Sequence, residues 1–190
     1  LGRGGLPLER EEALKLMKQH VTNKNLQKHC LATEVVMKYL AKHFGEDEDK
    51  WALAGLLHDI DYEQTADDPK RHSLVGAEML RDIGLDEDII YAVKVHNEAH
   101  GLPRNSLMDK ALYATDPLTG LIVAGALIKL EKKLAAIDVP FLVNRIAEKS
   151  FARGANREQI KSCTDFGLSL EEFMEIGLEA MQSTSKDLGL

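Results

Sequence analysis

Trp51-Ala-Leu-Ala-Gly-Leu-Leu-His58-Asp59-Ile-Asp61 is an apolar run that ends by delivering a histidine and an aspartate side by side. The acidic turn Glu46-Asp-Glu-Asp49 precedes it, and together they predict a helix over 51–59 with negative side chains at its amino terminus. An ionised carboxylate taken out of water beside an imidazole is costly unless its charge is compensated, and a divalent metal compensates it better than a side chain does. His58-Asp59 therefore reads as the heart of a metal site whose other ligands must come from elsewhere in the chain.

On the amino-terminal side, helical spacing runs over 9–20, with Leu14, Met17 and Val21 three or four apart after Pro7. A second helix from Asn25 carries Leu26, Cys30, Thr33, Met37, Leu40 and Phe44 on one stripe, bordered by His29 and stopped by Gly45. On the carboxyl side, a polar loop through Thr65-Ala-Asp-Asp-Pro69 leads into helical spacing at His72, Val75, Gly76, Met79 and Leu80. The next helix starts at Asp86 and holds Ile89, Ile90, Val93, His96 and His100 before Gly101 and Pro103 close it. Ser106-x-x-Asp109 resembles a capping box for a segment over 107–116, and Pro117 permits a fresh helix start. Three more helices follow over 140–151, 156–166 and 169–181. Val and Ile fall at helical rather than alternating spacing, and no Asn-Gly or Asp-Gly turn occurs, so the expected fold is all-α, a bundle of short to medium helices.

A chain of 190 residues suits a single domain over 8–190, with a metal-site core near 26–130 and the helices of 140–182 packed on it. Residues 1–7 are expected to be an expression remnant or a flexible arm. The formal net charge of −7 disfavours nucleic-acid backbones and anionic membranes as partners. The longest apolar run, 118–128, is shorter than the roughly 20 residues that cross a bilayer, and it reads as a core helix. Cys30 and Cys163 sit in helical pattern without a motif, which suggests buried thiols in a cytoplasmic protein.

Candidate ligands in chain order are His29, His58, Asp59, His72, His96 and Asp116, each on its own predicted helix apart from the adjacent pair. Mixed imidazole and carboxylate donors suit a divalent transition metal such as Mn, Fe, Co, Ni or Zn, as one or two ions. The ordered set His29, His58-Asp59, Asp116, within the phrase Gly55-Leu-Leu-His-Asp-Ile60, resembles the HD-domain metal-dependent phosphohydrolases over about 26–130. The resemblance implies a helical bundle with those four as metal ligands. Two-metal members of that superfamily add histidines between the doublet and the last aspartate, where His72 and His96 fall. The chain departs from the cyclic-dinucleotide phosphodiesterases, since Ile60-Asp61-Tyr62 replaces their Ile-Gly-Lys and no Gly-Tyr-Pro occurs. His96-Asn-Glu-Ala-His-Gly-Leu-Pro103, Ala114-Thr-Asp-Pro-Leu-Thr-Gly120 and Phe151-Ala-Arg-Gly-Ala-Asn-Arg157 resemble a small HD subfamily without a known substrate.

Each candidate also has a purely structural reading. His29 could be a satisfied core histidine, Asp116 an N-cap before Pro117, and His72 a surface residue after Lys70-Arg71. His100 could pair with His96 at i, i+4 or simply favour a helix carboxyl end, and the second reading is preferred. Asp61 and Glu63 are candidates to orient a water or protonate a leaving oxygen, with Arg104 and Arg153 as candidate substrate contacts. The expected function is hydrolysis of a small phosphate ester, a nucleotide first among them, by metal-activated water. A di-iron HD-type oxygenase and a non-catalytic nucleotide-sensing module are the alternatives. A homo-oligomer is possible through Leu170, Phe173, Ile176 and Met181.

Overall fold

A computed structural model describes residues 8–190, and the expectation for residues 1–7 lies outside the described residues. Every regular element among the described residues is helical, as the apolar spacing predicts. Helix α1 is Arg10–His20 and α2 is Lys24–Phe44. The Asn23 side chain accepts from the Asn25 and Leu26 N–H groups at the start of α2, and Gly45 ends it in the left-handed conformation at φ 70°. Helix α3, Glu48–Leu57, begins where Asp47 accepts from the Lys50 N–H and ends one residue before His58.

The packing of α3 on α2 places the doublet. Gly55 approaches α2 so closely that a Cβ would lie 2.6 Å from the Thr33 carbonyl oxygen and 2.9 Å from the Glu34 Cα. His29 lies one turn before Thr33 and His58 three residues after Gly55, so this backbone contact draws the two imidazoles together.

Helix α4 is Leu74–Asp82 and α5 is Glu87–Val95. Helix α5 stops at Val95 and a short 3-10 turn, Glu98–His100, follows, so His96 and His100 do not share the helix face that their spacing suggests. Helix α6, Leu107–Leu127, opens with the Ser106/Asp109 capping box and runs unbroken through Pro117. The fresh start expected at Pro117 is therefore wrong. Proline cannot donate to the carbonyl four residues back, and the Gln159 side chain replaces that donor at 2.7 Å from the Tyr113 oxygen.

The remaining elements are α7, Val139–Ala147, α8, Arg157–Lys161, α9, Leu170–Ser183, and α10, Ser185–Leu188. One cluster of buried apolar residues extends from Leu8 to Leu188 and includes both free cysteines, Cys30 and Cys163. Phe173 and Met181, offered by the sequence as a possible oligomer face, are spent on this cluster. Among the described residues no helix is long and apolar enough to cross a membrane.

Gly55→Ala should destabilise the protein by about 1–3 kcal/mol although alanine is the better helix former, because its methyl group meets backbone that cannot move aside. Gly120→Ala, on an open position of α6, should be neutral or stabilising by roughly 0.5–1 kcal/mol. Thermal and denaturant unfolding of the two variants checks the contrast.

Candidate metal centre

His58 is completely buried at the end of α3, and its Nδ1 donates to the Gly55 carbonyl at 2.7 Å. His96 occupies the same place at the end of α5, where its Nδ1 donates to the Val93 carbonyl. In both cases the carbonyl three residues back fixes the tautomer and turns the Nε2 lone pair inward. His29, on α2, directs Nδ1 at the Thr119 hydroxyl, 3.1 Å away, while that hydroxyl donates to the Asp116 carbonyl. His72 donates from Nδ1 to the Asp61 carboxylate at 2.8 Å.

All four imidazoles thus present Nε2 toward Asp59. Its Oδ2 lies 3.3 Å from the Nε2 atoms of both His29 and His58. Its Oδ1 lies 3.3 Å from His72 Nε2 and 3.4 Å from His96 Nε2. Asp116, carried by α6, completes the first group with Oδ1 at 2.8 Å from His29 Nε2 and 3.2 Å from His58 Nε2. Two ligand sets result, His29/His58/Asp59/Asp116 and Asp59/His72/His96, each with its donor atoms within 4.8 Å of one another. Asp59 belongs to both.

The donors fit a divalent cation on chemical grounds. The Nε2 atoms of His29 and His58 are 3.1 Å apart, a separation at which two bare lone pairs repel. Buried His96 Nε2 has no hydrogen-bond partner among the described residues, an orphan that a cation would satisfy. Electrostatics agrees. Burial works to lower the His29 pKa, but hydrogen bonds to Asp116 and Asp59 outweigh it and lift it to about 9. His72 is likewise lifted to about 9, against burial, by hydrogen bonds to Asp59 and Asp61. Burial works to raise the Asp59 and Asp116 carboxyls, yet the surrounding imidazoles hold both well below the usual carboxylate range. The pocket demands positive charge, which protons supply at neutral pH and a divalent ion supplies better.

Asp61 and Glu63 do other work than the sequence suggests. Asp61 is fully buried, and its Oδ2 accepts from the Ser73 and Gly76 N–H groups at 2.7 Å each while Oδ1 holds His72. It is buried rather than in a solvated loop, and it orients His72. Ser73 adopts φ 72°, a strained value for a non-glycine, and its hydroxyl donates to the Lys94 carbonyl. The Glu63 carboxylate accepts from the Thr22 and Asn23 N–H groups and the Thr22 hydroxyl, which ties it to the approach to α2. Arg104 stacks 3.6 Å over the Tyr113 ring and donates to the Val95 carbonyl, so it is committed to the wall behind the site. Arg153 is exposed on the rim between Ala152 and Gly154, both of which line the cleft.

The donor sets sit at the floor of a cleft of about 660 Å³ walled by α6, the turn after α5 and the residues leading into α8. Sequence reading misses the residues that aim the ligands, Thr119 and the carbonyls of Gly55 and Val93. It also misses Asn97, Glu98, Asn156 and Gln159 on the walls. The common signal of His58 and His96 is available in principle, since each stands immediately past the apolar end of its helix.

The HD domain model matches residues 26–136, more than half of the 190-residue chain. The protein belongs to the HD-domain family. It is 28% identical over 139 residues to ribonuclease Y of Oleidesulfovibrio alaskensis, covering 72% of this chain and 26% of that protein. Ribonuclease Y of Thermotoga petrophila is 30% identical over 141 residues, covering 70% of this chain and 27% of its own length. An uncharacterised protein of Methanocaldococcus jannaschii is 31% identical over 134 residues, covering 68% of this chain and 72% of that protein. The chain therefore spans about a quarter of the ribonuclease Y proteins that it matches.

Because His29 and His72 are lifted to about 9, a divalent ion must displace protons to bind near pH 7.5. Apparent affinity should therefore rise as the pH increases toward 9, and calorimetry in buffers of different ionisation enthalpy should register proton release. Asp61→Asn should weaken ion binding at His72 and His96 by roughly 10–100-fold while leaving the His29/His58 set nearly intact, as read by metal titration.

Proposed function

We propose that this protein is a metal-dependent phosphohydrolase that cleaves a small phosphate ester, a nucleotide first among them. The observation that carries the reading is the position of Asp59, which offers one carboxylate oxygen to each of two histidine groups at the floor of an open cleft. The His58 side chain closes the site from behind at 0% exposure, whereas those of His29 and Asp116 keep 21% and 28% exposure and line the cleft. A reactant can therefore enter from one side only, the arrangement of a catalytic rather than a closed structural site.

A divalent ion bound by these residues supplies Lewis acidity toward a phosphoryl oxygen and toward water. The residues themselves supply order. Gly55 and Val93 carbonyls, Thr119 and Asp61 each lock one imidazole, so the donors meet a reactant already arranged. The mixture of apolar and amide groups on the walls, from Leu26, Pro117 and Ala124 to Asn156 and Gln159, suits a nucleobase or similar group. The net charge of −7 favours a small substrate over a polyanionic one. Buried free cysteines fit a reducing cytoplasm.

Elemental analysis of protein purified without chelator, joined to a phosphate-release panel, tests the proposal. Wild type should carry one or two equivalents of a divalent transition metal and release phosphate from at least one small ester. Asp59→Asn should lower turnover by at least about 100-fold, as expected when a shared electrostatic element is removed. Turnover unchanged in that variant would refute hydrolysis at this site, and an iron-loaded protein with an oxygen-dependent product would replace it with the oxygenase reading.

A further inference from the structure

Apart from the histidines, the charged side chains lining the cleft among the described residues are all acids: Asp59, Glu98 and Asp116. Asp59 and Asp116 belong to the ligand sets, but Glu98 does not. It stands on the 3-10 turn Glu98–His100, and that turn is built to stay in place. The Asn97 carboxamide donates to the His72 carbonyl at 3.0 Å and accepts from the Ala99 N–H, and His100 Nε2 meets the same His72 carbonyl at 2.7 Å. The Tyr113 hydroxyl donates to Glu98 Oε2 at 2.9 Å, and Arg104 stacks on the same ring. That bond engages one carboxylate oxygen of Glu98, an exposed residue that lines the cleft.

Two divalent ions held by two carboxylates carry an excess positive charge that matches one phosphoryl dianion. A second phosphate would have to find its own cations. Arg104 is committed to Tyr113 and the Val95 carbonyl and Arg157 to the carbonyls of Ala152, Ala155 and Glu148, while Arg153 stands exposed on the rim and does not itself line the cleft. In their place the wall presents Glu98.

We propose that Glu98 is a specificity residue that restricts the cleft to substrates with one phosphate and an uncharged, hydroxyl-bearing remainder, and rejects bisphosphates and polyphosphates. The inference rests on the phosphohydrolase reading and deepens it. In the reaction the phosphorus–oxygen ester bond breaks, a bond from water oxygen to phosphorus forms, and the leaving oxygen takes up a proton. The products are inorganic phosphate and an alcohol, and no oxidant or reductant enters.

The test compares fructose 6-phosphate with fructose 1,6-bisphosphate on manganese-loaded protein, by titration calorimetry with phosphate release followed in the same samples. Wild type should bind the monophosphate at least about tenfold more tightly, Glu98→Gln should shrink that preference, and Glu98→Lys should reverse it. Thermal unfolding of the variants should stay at the wild-type value. Equal or tighter binding of the bisphosphate by wild type, or a ratio unmoved in Glu98→Lys, overturns the proposal and leaves the phosphohydrolase reading standing. Loss of bisphosphate binding in Arg153→Ala also overturns it, because the rim arginine would then seat a second phosphate. Binding of neither sugar phosphate to the metal-loaded protein would overturn the proposal for uncharged, hydroxyl-bearing remainders in general and leave the phosphohydrolase reading to the Asp59→Asn test.

Discussion

Asp59 is a carboxylate removed from water and surrounded by four imidazoles, at 6% exposure with both oxygens committed. In a low-dielectric interior an ionised carboxylate without compensation is among the costliest groups a chain can bury. Here the compensation comes from groups that are themselves better bases than they would be in water, because the same carboxylates lift them. The cluster therefore has the charge balance that a cation would complete, and its rings are aimed by hydrogen bonds to the protein itself. Histidine is suited to this because a ring with one nitrogen tied to the protein has only one lone pair left to offer.

The bundle exists in a form that keeps those lone pairs aimed. His58 and His96 achieve it with the least machinery, each using the carbonyl three residues back at the end of its own helix. His29 depends on α6 through Thr119, and His72 depends on Asp61, so these two rings report on the packing of other elements. Pro117 is the counterpart on α6. It leaves the Tyr113 carbonyl without its helical donor directly behind Asp116, and Gln159 of α8 fills the gap. The carboxyl-terminal helices are thereby coupled to the ligand helix by a hydrogen bond the proline itself creates.

The all-helical class and the residue types that converge at the cleft floor were legible in the sequence, because apolar periodicity and donor chemistry are local properties. What escaped was non-local. Pro117 reads as a fresh helix start until it is known that Gln159 can rescue the missing hydrogen bond. Asp61 and Glu63 read alike beside the doublet, yet one is buried under two backbone N–H groups and a histidine while the other ties down the approach to α2. Their difference lies in where residues 73–76 and 22–23 fold back, and no window around position 60 contains that. The helix expected to run on to His100 ends at Val95, and His100 itself keeps the structural role preferred for it, with Nε2 against the His72 carbonyl.

The division of labour along the chain follows from these contacts. Every candidate ligand lies within residues 26–136, the part matched by the HD domain, whereas one wall of the cleft comes from residues 152–159 beyond it. That wall has little side chain of its own, with Ala152, Gly154 and Ala155 facing the cleft and Ala152 held at φ 46°. Its shape is imposed from behind by the Arg157 guanidinium, which donates to the carbonyls of Ile146, Glu148, Phe151, Ala152 and Ala155. A loop whose carbonyls converge on one planar cation has few alternative conformations, because moving it would strand several acceptors at once. The candidate donors thus sit in the shared core, and one wall of the cleft comes from a segment beyond it that is tied back to α6 through Gln159 and the Tyr113 carbonyl.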